Sequence, residues 1–547
     1  MVENGHSAHP THVDIALRRS GRTVSSAGSR SPGRASGRRR HTTEQGEDMS
    51  GQRSGTDEAG NEVTHQPSGA MRRKATGLAI AAAVGGFLFG FDSSVINGAV
   101  DSIGTHFELN AFVKGFVVAV ALLGCALGAY IAGRLADRWG RLKVMLLGAI
   151  LFFVSSIGAG LAFSVWDLGL WRVVGGLGIG IASVVAPAYI AEIAPRQRRG
   201  GLASLQQLAI TIGIFAALLS DALLANGNPS REIWFGLEAW RWMFLVGVIP
   251  SAVYGIIALT VPESPRFLLA TGRRDEARAV FQTLVPAEDL DRSIKDIEDS
   301  IKADKEGLKA TLRGSVLGLK GIVWIGIILS VFQQFVGINV IFYYSTTLWS
   351  AVGFTKADSL TISVITSVTN VVVTVVAILL VDRIGRRPIL LTGSVGMAVS
   401  LGTMALAFAF ADKGSNGAVS LPGAWGPIAL VAANIFVICF GASWGPLVWV
   451  LLGEIFPTKI RGKALGLAAA AQWIANFLIT VSFPPMADFS LVFTYGMYAF
   501  FAALSFFFVF FKIPETNGMA LEQAETLFTN AKGRGRGPQV RSSGDSA

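Results

Sequence analysis

The first long apolar stretch of the chain reads ATGLAIAAAVGGFLFGFDSSVINGAV from Ala75 to Val100. It is long enough to cross a bilayer as one helix. Asp92 is its only charged residue, and a carboxylate at membrane depth costs about 2.5–3.5 kcal/mol on insertion scales. One interpretation is a hydrated carboxylate near the outer interface. We favour the other, in which Asp92 is a proton-titrating or ion-pairing site.

The composition of the whole chain is typical of a membrane protein. Of the 547 residues, 51% are hydrophobic and 15% are charged, whereas soluble proteins carry about 25% charged residues. Apolar spans occur at 75–99, 112–133, 142–164, 168–191, 201–224, 241–261, 320–346, 358–381, 388–411, 425–451, 463–486 and 490–511. The predicted fold class is therefore all-α integral membrane, with twelve transmembrane helices in two six-helix bundles.

These spans divide the chain into five regions. We expect a disordered basic tail at 1–74, a first bundle at 75–261, a linker at 262–319, a second bundle at 320–511 and a tail at 512–547. The linker contains DEARAVFQTL and LDRSIKDIEDSIKADKE, which are both amphipathic at helical spacing.

Positive charge is concentrated in alternate loops. The loops after spans two, four, eight and ten each carry three or four Lys or Arg residues, whereas the opposite loops are nearly bare. The positive-inside rule then places both termini and the linker in the cytoplasm of a multi-pass cell-membrane protein. The same loops account for the net charge of +10 without a nucleic-acid partner. The Arg-rich segment 37–40 is interpreted as part of a solvated tail rather than as a nucleic-acid patch.

Three motifs occur once in each half of the chain. E-I-x-P-x-x-x-R-G begins at Glu192 and Glu454, D-R-x-G-R at Asp137 and Asp382, and P-E-S/T at Pro262 and Pro514. Because each follows the corresponding span, they indicate a duplicated bundle. Arg forks that bind carboxylates can join helix ends in one conformation and release them in another. We therefore predict a cytoplasmic gate network, and not only charges that set topology. Its members are Asp137, Arg138, Arg141, Glu192, Arg199, Glu263, Arg266, Asp382, Arg383, Arg386, Glu454, Arg461 and Glu515.

Five motifs in order resemble those of the sugar porter family of the major facilitator superfamily. They are ADRWGR at 136–141, PESPRFL at 262–268, QQFVGIN at 333–339, VDRIGRRP at 381–388 and IPET at 513–516. The resemblance covers roughly residues 75–525 and includes the bacterial proton-coupled symporters for xylose and glucose. It implies the major facilitator fold and sugar transport by alternating access.

A sugar offers hydroxyls that donate and accept, together with apolar C–H faces, so its site needs amides and aromatic rings. The amides inside the spans are Gln207, Gln333, Gln334, Asn339, Asn370, Gln472 and Asn476, and the aromatic candidates are Phe89, Tyr343, Tyr344, Trp449 and Trp473. For any single amide the alternative is interhelical hydrogen bonding, worth about 0.6 kcal/mol. For Trp449 it is helix packing, and for the two tyrosines an interfacial belt.

Gln334 and Asn339 are five residues apart and diverge on a straight helix. A break at Gly337 is expected to bring them together. The resemblance implies that sugar hydroxyls are bound by Gln207, Gln333, Gln334, Asn339, Asn370 and Gln472, that Trp449 lies beneath the sugar and that Tyr344 is a gate. We also expect Gly441, Gly445 and Pro446 to break span ten above Trp449.

The resemblance also implies a partner for Asp92. Facilitators of the family usually carry Asn in the GY(N/D) motif of span one, whereas its proton symporters carry Asp. Here the motif reads Gly90-Phe91-Asp92, with Phe in place of the usual Tyr. In the symporters the aspartate pairs with an arginine at the start of span four, which is Arg172 here. The alternative, a charge that only sets topology, is weak because Arg172 lies on the poorly charged outer side.

These observations predict a proton-coupled symporter of glucose, xylose or a similar monosaccharide, and not an enzyme. No histidine lies in an apolar span, so proton chemistry falls to Asp92. We expect no metal and no cofactor besides the proton as coupling ion. The alternatives are a facilitative sugar uniporter and a non-transporting sugar sensor, which the short tail after Ile513 disfavours. The expected partners are the sugar and the lipid bilayer, with no nucleic acid, and the functional unit is expected to be a monomer.

Overall fold

A computed structural model of the protein describes residues 68–194, 199–307, 311–413, 419–456 and 460–516. Most of the two predicted tails lies outside these ranges. Within them, twelve helical segments are long and apolar enough to cross a membrane, which confirms the predicted number of spans.

The first half of the fold consists of seven helices. They are α1 (Gly69–His106), α2 (Ala111–Trp139), α3 (Arg141–Gly160), α4 (Val165–Ile193), α5 (Arg199–Ala225), α6 (Ala239–Val246) and α7 (Val248–Thr260). Side-chain caps fix where some of these helices begin. At α2 the Asn110 side chain accepts the Val113 N–H, and at α4 the Ser164 hydroxyl accepts the Asp167 N–H. α6 and α7 together form the sixth span, interrupted at Gly247.

Short elements follow the sixth span. They are α8 (Pro265–Ala270), α9 (Arg274–Phe281), a 3-10 turn (Ala287–Asp289), α10 (Leu290–Gly307) and β1 (Arg313–Val316). α9 and α10 cover the two segments with amphipathic spacing. Phe281, Leu290 and Ile294 form their small buried core.

The second half contains eight helices and a two-stranded hairpin. They are α11 (Gly321–Phe335), α12 (Ile338–Ala351), α13 (Lys356–Ile384), α14 (Arg386–Ala409), β2 (Asp412–Lys413), β3 (Val419–Ser420), α15 (Trp425–Ala442), α16 (Trp444–Ile455), α17 (Arg461–Phe489) and α18 (Leu491–Lys512). α11 and α12 form span seven, and α15 and α16 form span ten. Both are therefore broken helices, as the sequence predicts.

The spans alternate in direction, so one side of the fold carries the start of α1, the linker helices and the end of α18; we call it the linker side. The other, which carries His106 and Lys356, is the far side. Within the halves α1 packs on α5, α2 on α4 and α14 on α18. The halves meet where α2 packs on α17, α5 on α13 and α1 on α12.

Glycines let some of these helices come very close. A Cβ at Gly124 of α2 would lie 2.3 Å from the Val173 carbonyl oxygen, and one at Gly180 of α4 would lie 2.2 Å from that of Cys125. The contact between α2 and α4 is therefore one of backbone on backbone, which requires small residues. It places the start of α4, with Arg172, deep in the first half.

Candidate functional site

Asp92 and Arg172 form an ion pair inside the first half. The Arg172 guanidinium donates from its Nη1 to Asp92 Oδ1 at 2.7 Å. Both residues are buried: Arg172 is 4% exposed and Asp92 is 7% exposed. The same guanidinium lies over the Phe244 ring, with its carbon 5.9 Å from the ring centroid. Such a pair is costly to break by removing one partner, because a buried charge remains.

A small cavity lies on each side of this pair. One is lined by Ser155, Ser156, Trp171 and Phe244 of α3, α4 and α6, and the other by Phe89, Cys125 and Tyr343. Each touches both Asp92 and Arg172 and has room for about one water molecule. The second cavity contains side chains of both halves, so the ion pair borders the interface where the sugar site is predicted.

The break in span seven joins two of the predicted sugar ligands. Gly337 has φ +82°, in the left-handed region that suits glycine, and separates α11 from α12. Asn339 Nδ2 then donates to Gln334 Oε1 at 2.5 Å. The expected juxtaposition of these amides is therefore present, and it depends on the backbone at Gly337.

Gln333 binds the break in span ten. Its Nε2 donates to the carbonyl oxygens of Trp444 at 2.9 Å and Gly445 at 3.2 Å, just after the non-helical Ser443. The break lies between the glycines that predict it. Because both amide hydrogens of Gln333 are used, its contribution to a bound hydroxyl would come from its oxygen.

The other amides differ in their hydrogen bonding. Gln207 is half-buried, whereas Asn370 and Asn476 are buried. Asn476 Oδ1 accepts the Thr480 hydroxyl at 3.2 Å. Gln472 Oε1 is buried without a hydrogen-bond partner, which makes it a free acceptor that a ligand hydroxyl would satisfy.

Aromatic side chains close the space between the halves. Phe89 of α1 and Trp473 of α17 pack edge to face with centroids 5.4 Å apart. Tyr344 has non-helical backbone angles inside α12, and its hydroxyl donates to the Thr480 carbonyl at 3.1 Å. A kink at Tyr344 suits a gate. Trp449 is 42% exposed, so it does not pack tightly against a neighbouring helix.

The charged motifs form a cluster on the linker side of the first half. Arg141 donates from Nε and Nη2 to both oxygens of Glu192 at 3.0 and 2.9 Å, a bidentate pair. The Glu263 carboxylate accepts the backbone N–H of Arg141 at 3.1 Å at the start of α3. Ser264, which the sequence reasoning missed, donates its hydroxyl to Glu192. Arg266 lies 3.9 Å from Glu192.

The second half repeats this arrangement. Arg386 pairs with Glu454 at 3.2 Å, Glu515 accepts the Arg386 N–H at 3.0 Å, and the Thr516 hydroxyl donates to Glu454 at 2.6 Å. Gly140 and Gly385 precede the two arginines with φ +94° and +96°. Every ion pair found here among described side chains joins residues of the same half.

The remaining predicted gate residues are exposed or have side chains that the structure does not describe. Asp137 pairs with Arg141 at 3.3 Å but is mostly exposed. Arg138 is exposed and forms no ion pair with a described residue. The side chains of Arg199, Asp382, Arg383 and Arg461 lie outside the described part of the structure.

A hydrogen-bond network that the sequence reasoning missed joins the halves toward the far side. Asn97 of α1 donates to the Phe342 carbonyl at 2.9 Å and to Ser345 Oγ at 2.7 Å, and its Oδ1 accepts the Thr346 N–H at 3.2 Å. The only sequence signal for it is a polar amide inside an apolar span. One turn on, Asp101 accepts hydrogen bonds from Lys114 Nζ at 2.5 Å and from the Thr347 hydroxyl at 2.9 Å.

Each half of the fold contains six membrane spans, and broken helices and buried amides lie where the halves meet. This arrangement defines a membrane transporter of the major facilitator type. The family described as sugar (and other) transporter matches residues 78–528, and the chain belongs to that family. It is therefore a multi-pass membrane protein and a sugar transporter, not an enzyme.

Similar proteins agree with this assignment. The chain is 52% identical to the glucose transport protein of Synechocystis sp., over 81% of this chain and 95% of that one. It is 35% identical to the D-xylose-proton symporter of Escherichia coli, over 82% and 95%. A partially occluded inward open structure of the xylose transporter XylE from E. coli matches 83% of this chain and all of that one, at 33% identity and a TM-score of 0.71.

Proposed function

We propose that the protein is a proton-coupled monosaccharide symporter in which Asp92 carries the proton. The observation that supports this most strongly is the buried ion pair of Asp92 with Arg172 at 2.7 Å. A carboxylate in this position has two stable states: ionised and paired, or protonated and released from the guanidinium. The cavity lined by Asp92, Phe89 and Tyr343 links the protonation state of Asp92 to the interface between the halves.

The proposed cycle uses both states. Facing outward, Asp92 takes a proton, Arg172 is released and sugar binds to the amides of the second half. The halves then rock about the site. Facing inward, sugar and proton leave and the ion pair forms again, which resets the transporter. One proton that crosses at about 100 mV yields roughly 2.3 kcal/mol, enough for sugar accumulation of tens-fold.

The proposed orientation places the linker side in the cytoplasm, as the loop charges predict. The clusters around Glu192 and Glu454 then lie at the cytoplasmic gate, and the Asn97 network closes the outer path. The transporter is proposed to act as a monomer.

Glucose is the proposed sugar. The Synechocystis relative is named a glucose transport protein and shares 52% identity, whereas the xylose symporter shares 35%. Competition by unlabelled sugars against labelled glucose tests this directly. A panel in which xylose competes better than glucose would contradict it.

The coupling test compares wild type with Asp92→Asn in proteoliposomes. With an imposed pH gradient, wild type should accumulate sugar, whereas Asp92→Asn should lose accumulation yet retain sugar exchange. Asp358→Asn, which removes an exposed carboxylate at the start of α13, is the matched control and should behave as wild type. If Asp92→Asn still accumulated sugar fully under the pH gradient, the proposal would be refuted.

The second candidate function is a facilitative sugar uniporter with Asp92 in a structural role. It is favoured by the printed name of the Synechocystis relative, which mentions glucose transport but no proton. In that case wild type would equilibrate sugar but not accumulate it under a pH gradient.

A further inference from the structure

Besides Asp92, Asp221 of α5 is the acidic residue that is buried within the described part of the structure. Its side chain is fully buried, with 0% exposure. Asp221 Oδ2 accepts the backbone N–H of Gly98 in α1 at 3.2 Å. Asp221 Oδ1 is buried without a hydrogen-bond partner. Neither the proposed proton cycle nor the predicted sugar site uses this group.

The charged groups of the neighbouring elements have other partners or face solvent. Those toward the far side, where Asp221 lies, are Asp92, Asp101 and His106 of α1, Asp167 and Arg172 of α4, Arg231 and Glu232 after α5, Glu238 and Arg241 at α6, and Lys356 and Asp358 of α13. Arg172 binds Asp92, Asp101 binds Lys114, His106 pairs with Glu238, and Arg231 and Arg241 donate to carbonyl oxygens. Asp221 therefore forms no ion pair with a described residue.

We propose that Asp221 is a proton-binding site distinct from Asp92, and that its protonated carboxyl allows α1 and α5 to pack together. An ionised carboxylate that is fully buried with one hydrogen bond and no cation is strongly disfavoured, and such a group takes up a proton instead. A metal cation would need several oxygen ligands, and the described residues contain no group of three or more acidic, His or Cys side chains that could hold one.

Gly98 shows how tightly the two helices enclose this group. A Cβ at that position would lie 2.7 Å from Asp221 Cβ and 2.8 Å from Oδ2. This contact leaves no space for a water molecule between Gly98 and the carboxyl. Ionisation of Asp221 therefore requires α1 and α5 to separate there and admit water. This holds whether the protein is a symporter or a uniporter.

Infrared difference spectroscopy on purified protein tests whether Asp221 carries a proton. The carbonyl stretch of a protonated carboxyl should be present at neutral pH in Asp92→Asn and should be lost in Asp92→Asn/Asp221→Asn. The Asp92→Asn background removes the carboxylate of the proposed coupling site, so failure of the proposed coupling does not affect the result. Asp92→Asn/Asp358→Asn is the control and should retain the band. An unchanged band in the folded Asp221→Asn double variant would overturn the proposal.

Hydrogen–deuterium exchange tests the link to helix packing. As alkaline pH removes the band in Asp92→Asn, exchange of the peptide that contains Gly98 should rise several-fold after correction for the intrinsic increase of amide exchange with pH. In the Asp221→Asn double variant it should stay low at the same pH, because Asn is neutral and of the same size. Loss of the band without a rise in exchange would refute the role in packing.

Gly98→Ala gives an independent check, because the added methyl group should push α5 away and expose Asp221. The band should then disappear at a lower pH than in the Asp92→Asn parent. Gly77→Ala, on the same helix with open space around it, should leave the band unchanged. A titration of Gly98→Ala that matches its parent would count against the packing argument.

Discussion

Replacing Asn97 by Ala should open the far side of the transporter. The change removes three hydrogen bonds between the halves, those to the Phe342 carbonyl, to Ser345 and from the Thr346 N–H. At a net value of about 1 kcal/mol each, the loss is about 3 kcal/mol. Because these bonds exist only when α1 and α12 are together, the loss falls on the far-side-closed state. The equilibrium should shift toward the open state by on the order of a hundredfold.

Double electron–electron resonance, which measures the distance between two spin labels, detects this shift. Labels replace Phe112 at the start of α2 and Lys356 at the start of α13, two exposed positions on the far side in different halves. The native thiols Cys125 and Cys439 are first replaced by Ala. In the Asn97→Ala variant a longer distance should become the major population.

Thr105→Ala is the matched control for this experiment. Its hydroxyl donates only to the Asp101 carbonyl of its own helix, at 2.6 Å, so its loss should leave the distances unchanged. Identical distance distributions in Asn97→Ala and in its parent would refute the idea that this network closes the far side.

Two further predictions concern the sugar site. Gln472→Ala should weaken sugar affinity about fivefold, the equivalent of one hydrogen bond of about 1 kcal/mol, without loss of thermal stability; Asn434→Ala, whose amide donates to its own helix, should leave affinity unchanged. Gly337→Ala should lower both the melting temperature and sugar affinity, because φ there is +82° and the new Cβ would lie 2.7 Å from the Tyr498 ring. Gly496→Ala, which has open space, is its control, and equal stability of the two variants would contradict the requirement for glycine.

The architecture could be predicted because it depends on local sequence. Span number follows from hydropathy, and the breaks in spans seven and ten follow from glycines within apolar segments, such as Gly337. The interruption of span six at Gly247 was not predicted. Its signal is a single glycine in an apolar segment, which is common in membrane helices.

The unpredicted parts depend on pairs that are distant in the chain. Asn97 binds Ser345 across 248 residues, and no local pattern links them. Asp221 is a single acid near the end of its span, where hydration is the usual expectation, and its burial is set by Gly98 of another helix. The pairing of Asp92 with Arg172 could be anticipated only through the family resemblance.

The carboxylates that follow spans six and twelve also define where each half can be cut. The last transmembrane helix ends at Lys512, yet Glu515 and Thr516 bind back to the start of α14 and the end of α16. A chain truncated at Lys512 would keep every span and still lose the anion that caps α14. In the first half Glu263 and Ser264 have the same role. Split or circularly permuted versions should therefore retain four residues beyond Lys512 and the chain through Ser264, so that each half keeps the carboxylate that binds the start of α3 or α14.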